Sequence, residues 1–226
     1  MAGVTEATAI VRPAALVAGS LGIMGGTFDP IHLGHLAAAE EVREVLGLER
    51  IVFVPAGQPP HKPDQVISSP ADRLAMVELA VAGNPAFEVS RVDVDRPGPS
   101  YTVDSVDLIA AAEVAARRTP DLTFILSVET LLELPTWYEP ERLLDRCRLA
   151  VVPREGFPAP GRAWINEHFP GREDRVVSVG GARLEISSSA IRERVAHGRS
   201  IRYLVPDAVA GYIVEQGLYG HAARAS

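Results

Sequence analysis

Short runs rich in aliphatic and β-branched residues alternate along this chain with longer segments of helical periodicity, and that alternation restricts the fold more than any other feature. Such a pattern builds repeated βα units, in which each strand pairs in parallel with its neighbours and helices cover both faces of the sheet. The strand runs are Leu21 to Gly25, Arg50 to Pro55, Phe87 to Val94, Leu122 to Val128, Arg148 to Val152 and Arg175 to Val179. Between and after them lie the helical segments. Leu33 to Leu46 is stopped by Gly47, and Ala71 to Val81 follows Ser69 and Pro70, with Asp72 at capping-box spacing from Ser69. Tyr101 to Arg117 follows Ser100, and Glu139 to Arg146 is shorter. Ser188 to Ala196 opens on a serine cluster, and Asp207 to Gln216 stops at Gly217. The expectation is an α/β chain with a doubly wound parallel sheet. At 226 residues it has room for one sizeable domain with a real core.

Charge and cysteine usage narrow the function classes. Twenty-two Lys and Arg against 29 Asp and Glu give a net charge of −7, which works against sequence-independent attraction to nucleic acid. The single cysteine, Cys147, supplies neither an internal disulfide nor a Cys-rich metal site, and a reducing cytoplasmic location fits it. Residues 1–20 lack a basic start and an uninterrupted apolar run, being broken by Glu6, Arg12 and Pro13. They read as a poorly ordered extension ahead of a domain spanning 21–226, not as a signal peptide or membrane span. The Pro/Gly-rich stretch from Gly156 to Gly161 reads as a surface loop within that domain.

The chemistry concentrates where the first strand ends. Gly25, Gly26, Thr27, Phe28, Asp29, Pro30, Ile31, His32, Leu33, Gly34 and His35 run directly into an Ala/Glu-rich helix. A turn at this edge of an α/β sheet is where such folds bind ligands. Glycines let backbone N–H groups approach an anion, and the helix N-terminus favours phosphate. His32 and His35, three residues apart at the helix opening, can face one space and donate hydrogen bonds to oxygens that gain charge during a transfer. A structural turn with satisfied histidines remains an alternative, as does a metal site completed by His61, although no acidic or Cys ligand set accompanies it.

The run GGTFDPIHLGHL resembles the HxGH nucleotidyltransferase superfamily, in the version found in bacterial nicotinate mononucleotide adenylyltransferases. The segment Ile186, Ser187, Ser188, Ser189, Ala190, Ile191, Arg192 is similar to the ISSTxIR element of the same superfamily, with Ser189 in place of the usual Thr. The resemblance runs from about Leu21 to Tyr219. It implies a Rossmann-like single domain that transfers AMP from ATP to nicotinate mononucleotide, giving deamido-NAD and pyrophosphate, with Mg²⁺ bound mainly through the ATP phosphates. It further implies that His32, His35 and Arg192 are catalytic and that Gly25, Gly26, Thr27, Phe28, Gly34, Glu129, Arg154, Ile186, Ser187 and Ser188 also contact ATP. No nucleic-acid or membrane partner is implied, and a homo-oligomer is compatible with the sequence.

Three segments select the acceptor within that superfamily: Gln58-Pro59-Pro60-His61-Lys62, Pro99-Ser100-Tyr101-Thr102-Val103-Asp104 and Leu134-Pro135-Thr136-Trp137-Tyr138. Each resembles its counterpart in nicotinate mononucleotide adenylyltransferases. The indole of Trp137 suits an electron-poor pyridinium ring. Backbone N–H groups near Thr102 and Tyr138 suit the nicotinate carboxylate. The resemblance assigns His61, Lys62, Tyr101, Thr102, Trp137 and Tyr138 to the acceptor. One departure stands out: relatives carry Gly-x-Asp after the fourth strand, whereas this chain has Ser127-Val128-Glu129, a longer acid arm and an added side chain. Nicotinamide mononucleotide or phosphopantetheine as acceptor, and a nucleotide sensor without turnover, are the competing readings.

Overall fold

The computed structural model describes residues 14–60, 68–180 and 184–220. Six strands are found: β1 (Val17–Gly26), β2 (Leu48–Pro55), β3 (Phe87–Val89), β4 (Asp121–Ser127), β5 (Arg148–Val152) and β6 (Val176–Ser178). They pair in parallel throughout, in the order β3-β2-β1-β4-β5-β6. This is the doubly wound Rossmann-like order, with its switch point between β1 and β4. The helices are α1 (Leu33–Leu46), α2 (Pro70–Val81), α3 (Thr102–Ala115), α4 (Val128–Glu133), α5 (Pro140–Arg146), α6 (Arg162–His168), α7 (Ser188–Ala196) and α8 (Asp207–Glu215).

Side chains alternate across the sheet and fill two cores. Ile51 and Phe53 of β2 join Met24, Ile125 and Ala150 on the face covered by α1, α2, α7 and α8. Val52 and Val54 join Leu21, Ile23, Phe124 and Leu149 on the face covered by α3, α4, α5 and α6. Burial on both faces is what near-continuous apolar strands require. Helix α1 stops where expected, because Gly47 adopts φ 65° and returns its N–H to the carbonyls of Arg43 and Glu44. Ser69 caps α2 by accepting from the Asp72 N–H at 3.1 Å. Cys147 is buried, and burial pushes its thiol up to about 12.

Several boundaries differ from the sequence expectation. Strand β1 starts at Val17, four residues before the expected strand start at Leu21. β3 ends at Val89 and not Val94, because the following segment turns so that Asp93 is buried and accepts hydrogen bonds from Ser105 and Arg96. β4 ends at Ser127 because the Ser127 hydroxyl caps α4, accepting from the Thr130 N–H at 3.2 Å. Helices α4 and α6 have no counterpart among the expected elements.

Candidate active site

The carboxyl ends of β1, β4 and β5 open onto the switch point, and the motif residues gather there. His32 is the N-cap of α1, and its backbone N–H donates to Nδ1 of His35 at 3.2 Å. That bond makes Nδ1 of His35 an acceptor, so the neutral ring carries its proton on Nε2. The two imidazoles stack, with centroids 3.7 Å apart and 23° between planes. Gly34 permits this, since a Cβ there would stand 3.0 Å from Nδ1 of His32. Nδ1 of His32 is buried without a hydrogen-bond partner among the described residues. In a native interior an orphaned polar atom needs an explanation, and one explanation is a group the site is built to receive.

Electrostatics keep both rings neutral. Desolvation and, secondarily, the Arg154 guanidinium lower the His32 pKa to about 4. His35 is held well below the ordinary histidine range by desolvation, then by His32 and Arg154. At pH 7 the pair therefore offers uncharged N–H donors beside a fixed cation. Arg154, just past the end of β5, meets Glu129 on α4 at 3.5 Å, which brings these two sequence-derived candidates together across the carboxyl ends of β4 and β5. A cleft of about 790 Å³ beside them is lined by Arg154, Val128, Pro153, Ser178 and Gly180.

The serine-rich element docks on the glycine turn. The Ser188 hydroxyl donates to the Pro30 carbonyl at 2.9 Å, and Nη1 of Arg192 donates to the Asp29 carbonyl at 2.7 Å. Ser187 caps α7 by accepting from the Ala190 N–H at 3.2 Å, and Nη2 of Arg192 donates to Ser189. Ile186 stands over Gly34, 3.7 Å from the position a Cβ would take. Two motifs about 160 residues apart thus form one surface. Gly25, Gly26 and Thr27 are partly exposed on it. Phe28, also expected to contact ATP, is 2% exposed, with its ring edge-on to His35 at 5.1 Å.

On the acceptor side, Tyr101 and Tyr138 stack at 4.5 Å, which joins the N-terminus of α3 to the loop before α5. Trp137 is half-buried, edge-on to Phe124 at 6.3 Å. Thr102 opens α3, whose N-cap residue Tyr101 supplies no side-chain cap. His61 and Lys62 lie outside the described residues. Ser127, the departure from Gly-x-Asp, spends its hydroxyl on Thr130, so its side chain is tied into the first turn of α4.

Sequence reasoning missed two buried groups under the site. Arg73, 0% exposed on α2, donates to the carbonyls of Ser68, Thr27 and Gly57. Asp29, 2% exposed, accepts from the Ser68 N–H and from the Tyr219 hydroxyl at 2.7 Å. A signal for Arg73 was present: it shares a helical face with Val77 and Val81, at i+4 and i+8, where an apolar residue is the rule.

Among the described residues no three His, Cys, Asp or Glu side chains converge to hold a metal, and no helix is long and apolar enough to cross a membrane. The parallel sheet, its switch-point histidines and the docked serine element define a nucleotidyl-transfer architecture, and the chain belongs to the cytidylyltransferase-like family, whose model matches residues 23–194. Within it, the chain is similar to proteins described as probable nicotinate-nucleotide adenylyltransferases. One from Thermomicrobium roseum is 48% identical over 199 residues, covering 88% of this chain and 91% of that protein. Another, from Roseiflexus castenholzii, is 45% identical over 204 residues, covering 90% of this chain and all of that protein. The fold is also that of Plasmodium falciparum nicotinic acid mononucleotide adenylyltransferase complexed with NaAD, at TM-score 0.72 and 18% identity over 90% of this chain and 98% of that one.

Proposed function

We propose that this chain transfers the adenylyl group of ATP to nicotinate mononucleotide, producing nicotinate adenine dinucleotide and pyrophosphate in NAD biosynthesis. The observation that carries this reading is the docking of Ser188 and Arg192 onto Pro30 and Asp29, beside two stacked neutral imidazoles at the switch point. The similarity to nicotinate-nucleotide adenylyltransferases across 88% of the chain supports the choice of acceptor.

A phosphate oxygen of the acceptor attacks the α-phosphorus of ATP in line. As that P–O bond forms, the bond from the α-phosphorus to the α,β-bridging oxygen breaks and pyrophosphate leaves. No covalent enzyme intermediate is needed, because positioning two anions and stabilising charge on the transferring group does the work. His35 donates its Nε2 proton to an α-phosphate or bridging oxygen, and His32 steadies the same group. Being uncharged, the imidazoles contribute directional hydrogen bonds, while Arg154 and Arg192 supply positive charge toward the phosphates. Glu129 takes the nucleotide ribose. Mg²⁺ enters as part of the Mg·ATP substrate, held mainly by phosphate oxygens and water. Trp137, Tyr138, Tyr101 and the amide of Thr102 receive the pyridine ring and its carboxylate. A cytosolic location suits a chain whose one cysteine is buried.

The deciding experiment follows pyrophosphate release from ATP and Mg²⁺ with each mononucleotide in turn. Release with nicotinate mononucleotide, and far less with nicotinamide mononucleotide, is expected. ATP binding by calorimetry without pyrophosphate release on addition of either mononucleotide would sink the proposal.

A further inference from the structure

Arg73 is a guanidinium with no solvent exposure that forms no ion pair among the described residues. Burial lowers its pKa, an effect partly offset by the nearby Asp29 carboxylate. Burying a cation is costly, and a well-packed apolar side chain at such a position is often at least as stable. Its three donors reach three different pieces of chain. Nη1 donates to Thr27 O at 2.8 Å, in the turn that carries the histidines. Nη2 donates to Gly57 O at 3.0 Å, in the loop after β2, and Nε to Ser68 O at 3.1 Å, just before α2.

The same loop is held from its other side. The Ser100 hydroxyl, buried where the α3 segment begins, accepts from the N–H groups of Gly57 at 2.9 Å and Gln58 at 3.2 Å. A Cβ at Gly57 would fall 2.1 Å from the Asp93 carbonyl, so the loop is seated in a slot with little freedom. Ser100 immediately precedes Tyr101 and Thr102, the acceptor-side candidates. The contacts therefore run from the donor turn through Arg73 to the Gly57 loop, and from that loop through Ser100 to the acceptor wall.

We infer that Arg73 is a positioning residue that fixes the separation between the ATP-facing turn at Thr27 and the acceptor-facing loop at Gly57, so that the attacking phosphate and the α-phosphorus are held in register. This deepens the adenylyl-transfer reading and rests on it. A planar fork suits the task, since it addresses three carbonyls at fixed angles and cannot lose its charge, whereas an ammonium is a point donor. Reacting groups misplaced by about 1 Å can lose on the order of a hundredfold in rate without losing affinity for either partner.

The test is Arg73→Lys in the full chain, with thermal midpoint, calorimetric affinity for a non-reactive ATP analogue, and kcat per folded molecule measured side by side. The expected result is a kcat lowered by about ten- to a hundredfold, with the analogue's affinity within about threefold of the parent. Ser100→Ala, which deletes one hydroxyl and leaves the packing in place, should lower kcat about tenfold with the same unchanged affinity, and it carries the test alone if the lysine variant does not fold. A kcat equal to the parent's in the folded variants overturns the inference, as does a loss matched by a parallel loss of analogue binding. The parent separates the two readings: a parent with no turnover defeats the adenylyl-transfer proposal, while an active parent with equally active variants defeats only the positioning role.

Discussion

Glu113 and His32, two buried polar side chains at opposite ends of the same sheet, are satisfied to opposite degrees. At the amino end, Glu113 of α3 is 3% exposed and fully engaged: Arg50 meets it at 2.5 Å and Arg118 at 2.7 and 2.9 Å. Those partners, Arg118 foremost, hold its carboxyl down to about 2 despite burial. At the carboxyl end, His32 is also buried, yet its Nδ1 has no hydrogen-bond partner among the described residues, and its pKa falls because desolvation and the Arg154 charge outweigh the one backbone hydrogen bond that opposes them. Glu113 has both carboxylate oxygens satisfied within the fold, whereas His32 keeps an unpaired ring nitrogen next to the glycine turn. A satisfied network holds a fold together, whereas unspent hydrogen-bonding capacity at a ligand-binding edge is the mark of a group waiting for substrate.

The sharpest way to break this contrast is to truncate one group at each end. His35→Ala is expected to lower kcat by about a hundred- to a thousandfold, because it removes a donor to the transferring group, with a modest fall in thermal midpoint from the lost His32 N–H acceptor and the ring contacts to His32 and Phe28. Steady-state turnover together with a melting curve checks it, and a parent-like kcat would contradict the catalytic assignment. Glu113→Gln should do the reverse. It leaves two guanidiniums short of a carboxylate, so urea unfolding should report a loss of about 2 kcal/mol while kcat per folded molecule stays at the parent value. A drop in kcat there would mean that the two ends are coupled.

A smaller effect distinguishes the ends by pH. The folded-state pKa of His32 lies below its unfolded value of 6.5, near 4, so the unfolded chain binds more protons between those limits. Stability from this source is intact above pH 6.5 and declines as pH falls toward 4, by about 1 kcal/mol between pH 6.5 and 5.5. Glu113 acts in a lower window, its contribution present above 4.5 and lost as pH falls toward 2. Denaturant midpoints measured across this range should lose part of their slope between pH 6.5 and 4 in His32→Gln, His35 keeping the rest, and lose slope below 4.5 in Glu113→Gln. An unchanged slope in the histidine variant would show that the ring is not desolvated in the folded state.

What could be read from residue order follows the range of the interactions. Helices α1 and α7 and strand β5 fall where periodicity and capping residues put them, since Gly47 and the serine cluster are local signals. The extended reading of Val92 to Val94 failed because Asp93 is claimed by Ser105 and Arg96, contacts with no local signature. Short α4 was hidden because a strand-like apolar run continues into Val128, and only the Ser127 cap turns it. In the site, the histidine pair and the Ser188/Arg192 element were legible as motifs. The burial of Phe28 against His35 has no signature in residue order. Arg73, Asp29 and Tyr219 act through partners 5 to 190 residues away, and spacing alone does not carry that information.

The central claim is that His32 and His35 meet a triphosphate as neutral donors at the switch point. Nitrogen-15 NMR of the histidine side chains during titration with Mg·ATP tests it most directly. At pH 7 both rings should be uncharged, with Nδ1 of His35 unprotonated, and the ring-nitrogen resonances of both should move as nucleotide is added. Imidazolium signals at pH 7, or ring nitrogens that stay fixed while ATP binds, would contradict it.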